Sequence, residues 1–107
     1  MGTEYRFHVP SDSFSDSDLS SICAAPTFWR KDEQYGSYFL GRIEGSDWPV
    51  AMVWVKQGDI GVTLNGSSAS DAWRDVQSFV LGLERRHPDL QITGWDDDDD
   101  LRSSFYG

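Results

Sequence analysis

Two adjacent strand patterns joined by a short turn constrain the fold of this chain more than any other feature of its sequence. The segment Trp48 to Val55 is apolar on both faces, which is typical of a strand at the centre of a sheet. The turn residues Gln57 to Asp59 follow, and Ile60 to Leu64 then alternates as a second strand. Strand formers over Tyr35 to Ile43, ahead of the turn Glu44 to Asp47, predict a third strand. Short turns make these three strands an antiparallel meander.

An amphipathic helix is predicted after the meander. Its apolar residues recur at helical spacing and mark one face: Ala72, Val76, Phe79, Val80 and Leu83. Ser68 or Ser70 can cap the N-terminus, while Arg85 and Arg86 suit the negative C-terminal end. The helix must end before Pro88, because proline cannot continue it.

Shorter elements are predicted in the rest of the chain. Tyr5 to Val9 alternates as a strand with one buried face, and Leu19 to Cys23 has the spacing of a short α-helix. Thr27 to Trp29 forms either a brief strand or an aromatic loop, and Lys31 to Gln34 is expected to be a polar connector. A last short strand is predicted over Leu90 to Ile92.

The order of elements is therefore β-α-β-β-β-α-β, which predicts an α+β fold. We expect a two-layer sandwich, with a mainly antiparallel sheet and helices packed on one face. A chain of 107 residues suits one hydrophobic core, so residues 1–107 are expected to form a single domain. That domain includes an acidic segment near residues 96–100 and a short aromatic tail with Phe105 and Tyr106.

The charge balance indicates which partners suit the chain. Eighteen acidic residues against nine basic ones give a formal net charge of −9 at pH 7. A negative field of this size repels phosphate backbones and anionic lipid surfaces. The field attracts a basic protein instead, because opposite charges speed diffusional encounter. We therefore expect a cognate protein as partner, with neither direct nucleic-acid binding nor a membrane.

A run of five aspartates after a tryptophan is the most unusual feature of the sequence. Adjacent like charges repel, so folding alone does not favour such a run. The run forms either a solvated acidic loop or a patch that docks the Lys and Arg side chains of a partner. An EF-hand calcium loop is rejected, since Leu101 and Gly107 occupy the places of its turn glycine and closing glutamate. The candidate partner-binding residues are Trp95, as an aromatic anchor, and Asp96, Asp97, Asp98, Asp99 and Asp100.

No pattern in the sequence is typical of catalysis, of a cofactor or of a metal site. Neither His8 nor His87 belongs to a metal-binding or nucleophile motif. Gly58, Gly61 and Gly66 lack the spacing that wraps a phosphate at a helix N-terminus, and are interpreted as turn and close-packing glycines. We therefore expect that the chain is not an enzyme and uses no cofactor and no metal.

The compartment is predicted from cysteine usage and from hydropathy. Cys23 is the single cysteine and cannot form an intramolecular disulfide, which suits a reducing compartment. Its neighbours Ile22 and Ala24 predict a buried structural thiol. Met1 to Pro10 carries no apolar core of signal-peptide length, and no stretch approaches a membrane span. A cytoplasmic protein is expected.

The meander and helix from Trp48 to Arg86, taken with the size and acidity of the chain, look like the small acidic immunity proteins that accompany bacterial secreted toxins. The resemblance lies in size, charge and layout, and no residue motif carries it. It implies a cytoplasmic protein that neutralises a cognate toxin by occluding its active site, with Trp95 and the aspartate run as candidate contacts.

Two other functions are compatible with the same residues. A phage-type nuclease inhibitor or nucleic-acid mimic would place a row of carboxylates in a basic groove where phosphates bind. An oligomeric adaptor or structural domain would place exposed aromatic residues and strand edges at a subunit contact.

Overall fold

A computed structural model describes residues 3–96 and 98–107 of the chain. In these two segments six strands form one sheet: β1 (Thr3–His8), β2 (Phe28–Asp32), β3 (Ser37–Leu40), β4 (Ala51–Lys56), β5 (Asp59–Leu64) and β6 (Gln91–Thr93). The strand order is β2-β3-β4-β5-β1-β6, and every neighbouring pair is antiparallel. The helical elements are a 3-10 helix (Asp16–Ala24), α1 (Asp71–Arg86) and α2 (Arg102–Tyr106). The predicted α+β two-layer fold is confirmed.

The predicted meander is confirmed, and a fourth strand extends it. Phe28–Asp32 forms β2, so the segment Thr27 to Trp29 leads into a strand rather than an aromatic loop. Asp32 closes the β2–β3 hairpin, where its backbone oxygen accepts from the Gly36 amide at 2.7 Å and Gly36 has a φ of +67°. The prediction of a polar connector over Lys31 to Gln34 is therefore wrong for its first two residues, which belong to the edge strand.

Helix α1 covers one face of the sheet, as predicted. Ser70 caps it, because its hydroxyl oxygen accepts from the Trp73 amide at 3.2 Å. The helix buries Ala72, Trp73, Val76, Val80 and Leu83. These side chains share one core with alternate residues of the sheet, among them Phe7, Val53 and Val62, and burial of this apolar surface holds the two layers together. No helix in the described segments is both long enough and apolar enough to cross a membrane.

The predicted first α-helix is a 3-10 helix, and Cys23 is exposed rather than buried. A 3-10 helix has three residues per turn, so positions i and i+3 point the same way. Leu19 and Ile22 accordingly face the core, at 0% and 2% exposure, and Cys23 is turned outward. Asp16 ties this helix to the sheet, because its carboxylate accepts from Lys31 Nζ and from the Tyr38 hydroxyl, each at 3.1 Å. Burial, with the hydrogen bond to Asp16, raises the pKa of Tyr38.

The C-terminal aromatic tail closes the core. The Leu101 amide donates to the Ile92 backbone oxygen at 2.8 Å, which turns the chain back onto the sheet beside β6. Helix α2 then inserts Phe105, which is 0% exposed. Its ring meets those of Tyr5, Phe7 and Trp73 at centroid distances of 5.2, 5.0 and 5.1 Å. The tail is part of the folded structure.

Candidate functional site

The second face of the sheet, opposite the helices, is lined by a mixture of aromatic and charged side chains. Alternation along each strand sends Tyr5 and Phe7 into the core and Arg6 to this open face. Strand register sets the order of side chains across the face. One cross-strand row contains Arg30, Phe39, Met52, Thr63 and Glu4. None of these five residues belongs to the core that the sheet shares with the helices, although neighbouring side chains leave Phe39 and Thr63 only 5% and 7% exposed.

A groove of about 710 Å³ lies on the open face. Phe39, Met52 and Trp54 line it with apolar surface. Tyr35 and Trp48 also line it; Tyr35 precedes β3 in the chain and Trp48 follows it. Their side chains are 73% and 62% exposed, although they are among the largest apolar groups of the protein. Exposed aromatic surface around a groove is typical of binding sites.

The loop that carries Trp48 is braced by hydrogen bonds within the loop itself. The Ile43 amide donates to the Trp48 backbone oxygen at 2.9 Å. Arg42 donates through Nε to the Ser46 backbone oxygen at 2.7 Å and through Nη2 to Asp47 Oδ1 at 2.9 Å. A braced loop loses little conformational entropy when a partner binds, so Trp48 is well placed as a contact residue.

Trp54 and Trp95 lie against each other across β5. Their ring centroids are 6.4 Å apart with an interplanar angle of 16°. Gly61, the cross-strand partner of Trp54, makes this possible, since a Cβ atom there would lie 2.3 Å from the Trp54 ring. The prediction that Gly61 is a close-packing glycine is thus confirmed. Trp54 links the groove to the part of the chain that precedes the aspartate run.

Trp95 is engaged within the protein and is half-buried. Its indole Nε1 donates to the Tyr5 backbone oxygen at 3.1 Å. Arg6 and Lys56 approach its ring at 5.6 and 5.8 Å from the centroid. The contacts that the structure gives Trp95 anchor the end of β6 to the sheet and place the following residues beside the open face.

The aspartate run is exposed at each residue that the structure describes, namely Asp96, Asp98, Asp99 and Asp100. The prediction for Asp97 lies outside the described residues. The chain is fixed before the run by Trp95 and after it by Leu101. Asp100 Oδ1 also accepts from the Arg102 amide at 3.0 Å, at the start of α2. Among the described residues, Trp95 therefore lies next to Trp54, and Asp98 and Asp100 line a pocket with Arg6 and His8 of β1.

A polar pocket of about 610 Å³ lies beside the run, and Asp98 and Asp100 line it with Arg6, His8 and Arg102. Sequence reasoning missed the ion-pair cluster at its edge, which centres on Asp59. Asp59 is 6% exposed and accepts from Arg6 Nε and His8 Nδ1, each at 2.7 Å. The period-2 pattern of β1 could have placed Arg6 and His8 on the face away from the core. It could not identify Asp59 as their partner, because Asp59 belongs to the predicted turn Gln57 to Asp59.

Replacing Gly61 with alanine is expected to displace the Trp54 ring and lower the free energy of unfolding by about 1–3 kcal/mol, because the added methyl group overpacks the site. Chemical denaturation measures the loss, and near-UV circular dichroism reports the altered Trp54–Trp95 pair. Gly82→Ala is the matched control: its Cβ meets no atom within 4 Å, so the variant should gain about 0.5–1 kcal/mol of helix stability. A Gly61→Ala variant with wild-type stability and spectrum would contradict the packing described for Gly61.

The open face provides the chemistry of recognition: aromatic surface, carboxylates and cations. Within residues 3–96 and 98–107, no cluster of His, Cys, Asp or Glu side chains could hold a metal ion. Both carboxylate oxygens of Asp59 are already engaged by Arg6 and His8. Comparison with protein families, curated proteins and solved structures finds no match for this chain, so the functional assignment rests on the geometry of the open face.

Proposed function

We propose that this chain is a non-enzymatic inhibitory binding protein, and specifically an immunity protein that neutralises a cognate basic bacterial toxin in the cytoplasm. The observation that carries the proposal is the uncovered sheet face, on which Trp48 and Tyr35 remain largely exposed around an aromatic groove. Large exposed aromatic groups cost solvation free energy unless a partner covers them. Trp and Tyr are also the residue types that most often dominate binding energy at protein interfaces.

The aspartate run gives the open face an acidic border. Asp96, Asp98, Asp99 and Asp100 are exposed, and the whole chain carries a net charge of −9. Such a field raises the rate at which a basic protein meets this face. The aromatic groove then supplies the apolar contact that holds the complex. The toxin's active site is inhibited because the bound chain covers it.

The exposed aromatic residues also favour a second candidate, an oligomeric adaptor in which the open faces of two copies meet. A self-complementary contact would bury Trp48 and Tyr35 equally well. The charge opposes this arrangement, since two copies bring together two net charges of −9. A basic partner therefore satisfies both the aromatic and the electrostatic features of the face, and a second copy satisfies only the first. The phage-type nuclease inhibitor, the remaining alternative, would use the same open face.

The proposal predicts that the tagged chain retains one basic protein from an extract of its source organism at low salt and releases much of it at high salt. The purified partner should lose its enzymatic activity when an equimolar amount of the chain is added. Light scattering after size exclusion should find the chain alone to be a monomer. Recovery of the chain only as its own oligomer would favour the adaptor, and a captured partner whose activity is unchanged would contradict inhibition.

A further inference from the structure

The groove on the open face carries an acidic lining around an apolar floor. Its floor contains Phe39, Met52 and Trp54. The charged side chains that line it, among the described residues, are three carboxylates and one cation: Glu4, Asp32, Asp47 and Arg30. An apolar floor with an excess of carboxylates suits a long side chain with an aliphatic stem and a cationic head.

Not all of these carboxylates are equally available. Asp32 accepts from Arg30 Nη1 at 3.1 Å, and Asp47 accepts from Arg42 at 2.9 Å. Arg30 is also engaged by an aromatic ring, because its guanidinium lies 4.7 Å from the Phe39 centroid. Glu4 is exposed, and although its backbone lies in the β1–β5 ladder, no hydrogen bond or ion pair joins its carboxylate to another described residue. Glu4 is therefore the carboxylate that is open to a ligand.

Aromatic rings on this side of the sheet already bind cations of the chain itself. Arg30 and Arg42 each lie 5.3 Å from the Trp29 centroid. Trp48 and Tyr35 offer the same kind of ring surface but have no such partner among the described residues. Cation–π attraction at partly exposed rings is worth about 0.5–1 kcal/mol, and more when the pair is desolvated.

We infer that the groove receives an arginine or lysine side chain of the partner protein, whose stem lies on Met52 and Trp54 and whose cation is bound by Glu4, with the exposed rings of Trp48 and Tyr35 lining the groove around it. The inference rests on the proposed function for its choice of a basic partner, and it identifies the part of that partner which binds. A second copy of the chain suits the groove less well, because the net charge of −9 repels it.

The test needs no toxin. The isotopically labelled protein is titrated with the peptide acetyl-Leu-Arg-Leu-amide and with its citrulline counterpart, and the indole N–H signals of Trp48 and Trp54 are followed by NMR. The arginine peptide should cause saturable shifts, and the uncharged citrulline peptide should bind about tenfold more weakly. Glu4→Gln should weaken the arginine peptide by up to about fivefold. Asp71→Asn, the same change of charge on helix α1, should have no effect.

Equal affinity for the two peptides, or no saturable shift at millimolar arginine peptide, would overturn the inference. Shifts of the Trp48 and Trp54 signals with protein concentration alone would assign the groove to a second copy and would also overturn it. The two proposals can fail separately. Failure to capture a toxin would leave a positive peptide titration standing, whereas a captured and inhibited partner would leave the proposed function standing if the groove bound no arginine peptide.

Discussion

Replacing Phe105 with alanine is expected to lower the free energy of unfolding by about 3–5 kcal/mol, although this residue stands only two positions from the end of the chain. Its side chain is 0% exposed and meets the rings of Tyr5, Phe7 and Trp73 edge-on. The substitution removes this apolar burial and leaves a cavity that the rigid sheet can fill only in part. A loss of this size would be a large share of the stability of a small domain.

Chemical denaturation of the two variants Phe105→Ala and Tyr35→Ala measures this effect against a matched control. Both substitutions remove one aromatic ring, but Tyr35 is 73% exposed and should change the stability by no more than about 0.5 kcal/mol. A loss of less than about 1 kcal/mol in the free energy of unfolding of Phe105→Ala would contradict the core packing described for α2.

Replacing all five aspartates of residues 96–100 with asparagine is expected to slow association with the basic partner by about tenfold to a hundredfold at low salt. The run borders the open face, so its charges act on the partner before contact, and the dissociation rate should change much less. Surface plasmon resonance at several salt concentrations measures both rates. The salt dependence of the association rate should become shallower as well.

The matched control changes the net charge by the same amount at other places on the surface. Asp12, Glu33, Glu44, Asp71 and Asp89 are exposed and lie outside the run, and their conversion to the corresponding amides also removes five negative charges. This control should slow association much less than the change at residues 96–100. Equal slowing by the two variants would mean that net charge, and not the position of the run, steers the partner.

Local patterns in the sequence were sufficient to predict the elements that depend on local chemistry. The strand over Ile60 to Leu64 and the helix over Ala72 to Leu83 follow from alternation, helical spacing and turn residues, and the structure confirms both. The position of Phe105 could not be predicted in this way, because its partners Tyr5 and Phe7 lie about a hundred positions earlier in the chain.

Local patterns were likewise insufficient to predict the candidate site. Composition alone drew attention to Trp95 and the aspartate run, whereas the exposure of Trp48 was missed because the residue was counted in the strand Trp48 to Val55. The strand begins at Ala51 instead. Pro49 is the signal that could have corrected this, since proline has no amide to donate within a central strand. Tyr35 was missed because nothing in the local sequence tells which end of a strand borders a groove.

In the proposed function the open sheet face, and not the helical layer, binds the partner. Trp48→Ala and Leu81→Ala test this claim as a pair, because both residues are large, apolar and exposed, at 62% and 44%, and Leu81 lies on helix α1. The measurement is the dissociation constant of each variant for the captured partner. Trp48→Ala is expected to weaken binding by at least about tenfold, and Leu81→Ala is expected to leave it unchanged. A loss of affinity in Leu81→Ala, with wild-type affinity in Trp48→Ala, would contradict binding at the open face.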